Sequence, residues 1–192
     1  ALLMDFYELT MANGYFLNRM HERRAVFEFF FRSVPDGGGF AIAAGLQQVV
    51  EAACHLRFTR DDIGYLESKR MFDGAFLEWL AATLFQCDIH AMPEGTPVFP
   101  REPILVVEGP LAQAQMVESM ILNFMNHQSL IATKANRIVR AAQGRAVMEF
   151  GTRRAHGPDA AIYGARAAYI GGCVGTACAL TDSAMGVPAM GT

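Results

Sequence analysis

Between residues 146 and 190, short apolar runs alternate with longer Ala-rich ones, and this alternation is the strongest pattern in the chain. Ala146 to Phe150 reads as a strand that breaks at Gly151 into a polar loop, and Gly157-Pro158-Asp159 then opens a helix reaching Gly171-Gly172. Val174 to Ala177 predicts a second strand, Leu180 to Met185 a short helix, and Val187 to Met190 a third strand. Strands alternating with helices imply parallel βαβ units, whose chemistry sits on the loops leaving the strand C-termini. Arg153, Arg154, Thr176 and Thr192 occupy such positions.

The first part of the chain has a mixed pattern. Asp5 is placed to cap a helix of two to three turns stopping near Gly14, and Ala25 to Arg32 is rich in β-formers. Helical spacing returns over Leu46 to Leu56, after Thr59 as an N-cap, and after Asp73 with Phe76, Leu77 and Leu80 on one face. Four prolines between Pro93 and Pro103 exclude helix there, so Cys87 to Ala91 and Ile104 to Glu108 read as short β segments joined by turns. From Pro110 the pattern turns helical, with one helix over Ala114 to Met125 and another over Ser129 to Ala142, separated by Asn126-His127-Gln128-Ser129. The fold class is therefore α/β: an α+β N-terminal domain over residues 1–112 with a small β-layer, then linker helices and the first strands and helices of an irregular α/β barrel over 113–192.

Composition narrows the functional classes. The 192 residues are 52% hydrophobic, enough to fill a sizeable core, and the net charge of −3 with no run of like charges gives no electrostatic footprint for nucleic acid. Apolar stretches are interrupted too often to span a membrane, and no basic-then-apolar leader opens the sequence, so a cytoplasmic protein is expected. Cys54, Cys87, Cys173 and Cys178 are spaced poorly for zinc and read as reduced, small apolar residues. Gly37-Gly38-Gly39 lacks the Lys-Ser/Thr of a phosphate loop and reads as a turn. His127 reads as a capping or packing residue between helices, His156 as lying beyond the reactive loop, Tyr7 as a packing aromatic, and Arg154 as a salt-bridging residue.

Six stretches spread over the chain resemble the nicotinate phosphoribosyltransferases: Asp5 to Met11, Phe40 to Leu46, Ala91 to Pro97, Asn126 to Lys134, Met148 to Ala155, and Val187 to Thr192. The resemblance implies a type II phosphoribosyltransferase that joins nicotinate to 5-phosphoribosyl-1-pyrophosphate in NAD salvage, with ATP as co-substrate and Mg²⁺. It also implies a homodimer whose active sites are shared between subunits. Phe150 and Tyr7 match the ring-stacking positions, Tyr7 reaching across the dimer, and Arg153 matches the cation near the pyridine carboxylate. Thr152 and Gly191 join them as substrate-binding positions, and Gly175, Thr176 and Thr192 are weaker phosphate or ribose positions.

No catalytic residue or metal ligand is assigned within the chain, because the family's phosphorylated histidine would be the third residue past Thr192. Val174, Ala177 and Cys178 stand where the family pattern has polar residues, which weakens the phosphate reading of that loop. Two alternatives stay open: a non-catalytic or partner-requiring chain of the same fold, and a related enzyme acting on nicotinamide or quinolinate.

Overall fold

The computed structural model describes residues 1–34 and 37–191. The chain forms two compact units, each assembled from three stretches: Ala1–Phe29, Gln47–Ala91 and Leu105–Asn123 in the first, Phe30–Leu46, Met92–Ile104 and Phe124–Thr192 in the second. Mixed helix and sheet is the fold class expected, but the units do not follow a single break at residue 112. Strand pairing between distant stretches explains the interleaving, because β1 (Arg24–Phe29) bonds in the first unit to β5 (Leu105–Pro110), its partner far along the chain.

In the first unit β5 is the central strand of an antiparallel sheet ordered β1-β5-β3, with β3 spanning Asp88–Ala91. Leu105 and Val107 point into the core while Val106 and Glu108 lie between them on the more open face, the period-two pattern of a half-buried strand. Helices α1 (Phe6–Leu17), α2 (Leu46–Cys54), α3 (Arg60–Ser68), α4 (Gly74–Ala82) and α5 (Leu111–Gln115) accompany the sheet. Thr59 caps α3, accepting the Asp62 N–H at 3.2 Å, and Asp73 caps α4 through the N–H groups of Ala75 and Phe76. Helix α1 runs through Gly14 to Leu17: glycine costs helix stability without forbidding helix, and a stop would need the left-handed geometry that Gly14 does not adopt. Leu9, Leu66, Phe76, Leu80 and Met116 form the core, with Phe76 stacked on Trp79 at 5.8 Å.

In the second unit β2 (Ala41–Ile42) pairs antiparallel with β4 (Pro97–Val98). Helix α6 is continuous over Glu118–Ala141, so no connection separates two helices at 126–129. Asn126-His127-Gln128-Ser129 contains neither Gly nor Pro, and its polar groups have work to do inside the fold. Ser129 Oγ takes the Ala44 N–H at 3.0 Å and donates to the Ala44 carbonyl at 3.1 Å; one turn on, Thr133 Oγ1 takes the Ile42 N–H at 2.8 Å. The polar residues of α6 thus complete the hydrogen bonding of a buried strand.

After α6 come β6 (Met148–Glu149), a 3-10 turn (Thr152–Arg154), α7 (Pro158–Ile170), β7 (Gly175–Thr176) and α8 (Ala179–Met185). β6 and β7 are parallel, as the alternation predicts. The expected third strand over 187–190 is a single parallel bridge between Thr176 and Ala189, held by Thr176 N–H to Pro188 O at 3.0 Å and Met190 N–H to Thr176 O at 2.8 Å. Pro188, with no N–H to give, keeps that segment from a longer ladder.

Candidate functional site

The site predicted from sequence lies at the C-terminal end of β6. Glu149 organises it: one carboxylate oxygen accepts the Gly151 N–H and the other accepts the Thr176 hydroxyl at 2.6 Å. Thr176 Oγ1 in turn takes the Cys178 N–H at 3.0 Å, and the Ala177 N–H bonds Glu149 O at 2.9 Å. An acidic side chain therefore ties the loop after β6 to the end of β7, a role no motif announced; the only signal was an isolated charge inside an apolar strand. Because Thr176 is fully buried and its hydroxyl is engaged on both sides, its side chain serves the frame of the site. Gly175 is likewise packed: a Cβ there would lie 2.5 Å from Pro188 O.

Around this frame the expected ring-binding residues are open. Phe150 is 43% exposed, and Thr152, Arg153 and Arg154 are exposed on the 3-10 turn. Burial alone would raise the Cys178 thiol, but Thr181, then Thr152 and Leu180, outweigh it and hold the thiol below its ordinary range. Neither guanidinium forms an ion pair among the described residues, so the salt bridge expected of Arg154 is not made there. Gly191 is exposed beside the bridge segment, and Thr192 lies outside the described residues.

A pocket of about 260 Å³ opens beside this loop, walled by α6 (His127, Ile131), by Glu149, Gly151 and the 154–156 loop, and by Ala160, Ala161, Gly164 and Ala165 of α7. Small residues on α7 make the room. Arg154 and His156 line the pocket and Arg153 does not. His127 lies within α6 rather than in a connection, and its buried Nε2 has no hydrogen-bond partner among the described residues. The pocket thus offers an arginine, a second imidazole at His156 and an unsatisfied imidazole nitrogen at His127, a lining that can take a small anionic group, while Phe150 is exposed outside it.

Tyr7 belongs to the first unit, near the start of α1. It is 43% exposed, and the nearby Glu118 carboxylate, with burial, pushes its phenol up to about 12. The structure therefore groups Phe150, Thr152, Arg153, Gly175 and Thr176 in one unit and sets Tyr7 in the other. No three His, Cys, Asp or Glu side chains cluster among the described residues in a way that could hold a metal ion. No helix among them is long and apolar enough to cross a membrane.

Comparison with known proteins bears on the whole chain. Residues 2–126 match the family model of the nicotinate phosphoribosyltransferase N-terminal domain. A nicotinate phosphoribosyltransferase of Mycobacterium tuberculosis is 46% identical over 192 residues, covering 100% of this chain and 41% of that protein. The crystal structure of human nicotinic acid phosphoribosyltransferase superposes with a TM-score of 0.92 at 38% identity, covering 100% of this chain and 39% of that one. A nicotinate-nucleotide pyrophosphorylase from Pyrococcus furiosus superposes at 0.78 with 28% identity, over 98% of this chain and 41% of its own. The chain thus spans about 40% of the length of such relatives. With the family model matching well over half of its residues, the chain belongs to the nicotinate phosphoribosyltransferase family.

Proposed function

We propose that the protein carrying these residues transfers a phosphoribosyl group from 5-phosphoribosyl-1-pyrophosphate to nicotinate, giving nicotinate mononucleotide and pyrophosphate in NAD biosynthesis. The observation that supports this best is the exposed Phe150-to-Arg154 loop at the C-terminal end of a parallel strand, in a chain alignable over its whole length with nicotinate phosphoribosyltransferases. In this reading the pyridine ring lies between Phe150 and Tyr7 of the partner subunit, its carboxylate held by Arg153 or Arg154 and by Thr152. Offset stacking contributes about 0.5–1.5 kcal/mol per ring pair, and a charge-assisted hydrogen bond about 1.5–3 kcal/mol. Fixing the ring leaves its nitrogen lone pair free to attack the anomeric carbon as the bond to pyrophosphate breaks.

ATP as co-substrate, Mg²⁺, a cytoplasmic location and a homodimer with composite sites complete the reading. The described residues offer Mg²⁺ no cluster of three His, Cys, Asp or Glu side chains. The experiment is a substrate panel on a chain extending over the length of the relatives. Nicotinate, nicotinamide and quinolinate are each offered with the phosphoribosyl donor, with and without ATP. Nicotinate is expected to be preferred and ATP to raise its turnover; preference for nicotinamide would overturn the reading. One observation favours quinolinate as a second reading: Arg153 and Arg154 are adjacent and have no ion-pair partner among the described residues, so a ring with two carboxylates could engage both.

A further inference from the structure

Among the described residues, two buried imidazole nitrogens have no hydrogen-bond partner, Nδ1 of His21 and Nε2 of His127. His21 packs between the rings of Phe16 at 4.8 Å and Trp79 at 5.2 Å, so aromatic packing accounts for its burial. His127 instead borders the pocket of about 260 Å³, whose lining lies wholly in the second unit. Its Nε2 faces Gly164 of α7, where an added Cβ would lie 3.8 Å away and, its own helix backbone aside, meet no other atom within 4 Å. Folded proteins seldom leave a buried polar atom unpaired, and an exception beside a cavity points to a partner that enters the cavity.

We infer that His127 is a specificity-determining residue, its Nε2–H holding the carboxylate of the pyridine substrate in this pocket and selecting the acid over the amide. This rests on the reading of nicotinate as the substrate given above. Gly151 lines the pocket and directly follows Phe150, so the ring-stacking position adjoins the lining. Imidazole carries an N–H at Nε2 in one neutral tautomer and in its cation, and Arg154 is a donor in any state. Glu149 lines the same pocket, with one oxygen taking the Gly151 N–H and the other the Thr176 hydroxyl. Its charge repels an anion and attracts an amide N–H, so Arg154 set against Glu149 does not by itself favour the acid. A second donor at His127 decides the matter. A carboxylate offers two acceptor oxygens to Arg154 and His127 together, whereas a carboxamide offers one and turns its NH₂ toward the other donor.

The test uses the chain extending over the length of the relatives, measuring KM for nicotinate and the inhibition constant of nicotinamide against it. His127→Phe keeps a planar ring and removes the donor. It is expected to lower the preference for acid over amide about tenfold to about a hundredfold, the loss of one hydrogen bond to a charged group. The change should come from KM for nicotinate with kcat little altered, because the bond is made in ground state and transition state alike. His127→Gln, which presents an N–H from a side chain of similar reach, should restore most of the preference. Gly164→Ala leaves His127 intact but sets a methyl beside Nε2. It should raise KM for nicotinate while the urea midpoint holds or rises, since alanine favours helix over glycine. An unchanged preference in His127→Phe, or equal weakening of acid and amide, would overturn the inference and leave the nicotinate reading standing. If His127→Phe does not fold, Gly164→Ala decides, and an unchanged KM for nicotinate there overturns it. Absence of nicotinate turnover in the unsubstituted chain would bring down the functional reading, and the inference with it.

Discussion

Arg166 grips Glu94 with two bonds of 2.9 and 2.6 Å, and the same carboxylate takes the Gly45 N–H at 2.6 Å. Burial alone would raise this carboxyl, but Arg166 and the Gly45 N–H outweigh burial and hold it below 4.5. A group whose folded value is depressed contributes stability above its ordinary range and loses it as pH falls through the folded value. Glu94→Gln should therefore cost about 1.5–3 kcal/mol at neutral pH, the range of a hydrogen bond to a charged group in this part-buried pair, and much less in acid. Urea melts at pH 7 and pH 3 would show the gap closing; an equal gap at both would rule the ion pair out as its source. A second residue-scale prediction separates the two arginines. If the pocket lining identifies the carboxylate's partner, Arg154→Leu should raise KM for nicotinate more than Arg153→Leu, with KM for the phosphoribosyl donor moved little by either; the reverse order would return the role to Arg153. At this scale the sequence was readable where a residue type states its purpose: Phe150 and the arginines on a strand-end loop, Thr59 and Asp73 as caps. It was silent on Glu149, whose partners, Gly151 and Thr176, meet only when two distant strands align. Likewise, adjacency in sequence says nothing about which of two arginines faces a pocket.

Elements were legible where periodicity is local and strong. Helices α3, α4 and α7 follow their caps and apolar faces closely, and β6 and β7 follow the alternation. The continuity of α6 was hidden because Asn126 to Ser129 looks like a polar interruption, whereas Ser129 and Thr133 are buried against the backbone of β2. Tertiary partners, and not local propensity, decide whether such a segment stays helical. The same close packing produces a prediction at the junction of α6 with the end of α7. A Cβ on Gly171 would sit 2.4 Å from Ala132 O and 2.9 Å from Ala135 Cβ, although the φ of −68° suits any residue. Gly171→Ala is thus a steric probe free of backbone strain. It should destabilise by about 1–3 kcal/mol, the usual cost of overpacking, read as a lower urea midpoint at unchanged slope. A neutral substitution would mean the two helices can part without cost.

For the whole molecule, the order of strands was the least legible feature, because β1 finds β5 and β2 finds β4 across long stretches of chain that no local pattern links. What the sequence did convey was the parallel sheet of the second unit, and that sheet carries the last prediction. It consists of β6, β7 and one bridge at Ala189, and the outer edge of β6 has no strand partner among the described residues. Met148 and Phe150 of this strand and its end, with Val174, Leu180 and Met190 flanking β7 and the bridge, are all at least 36% exposed. Short open edges bordered by apolar side chains recruit further strands, and soluble proteins seldom leave such surface uncovered. The 192 residues by themselves should therefore self-associate, sedimenting as a concentration-dependent mixture of species. Since apolar exposure drives the association, Val174→Lys together with Leu180→Lys should shift that mixture toward monomer. The far-ultraviolet circular dichroism should not change, because both side chains are exposed. A single monomeric species at tens of micromolar before any substitution would show that this edge is closed by the chain's own residues, and the sheet would then be complete as it stands.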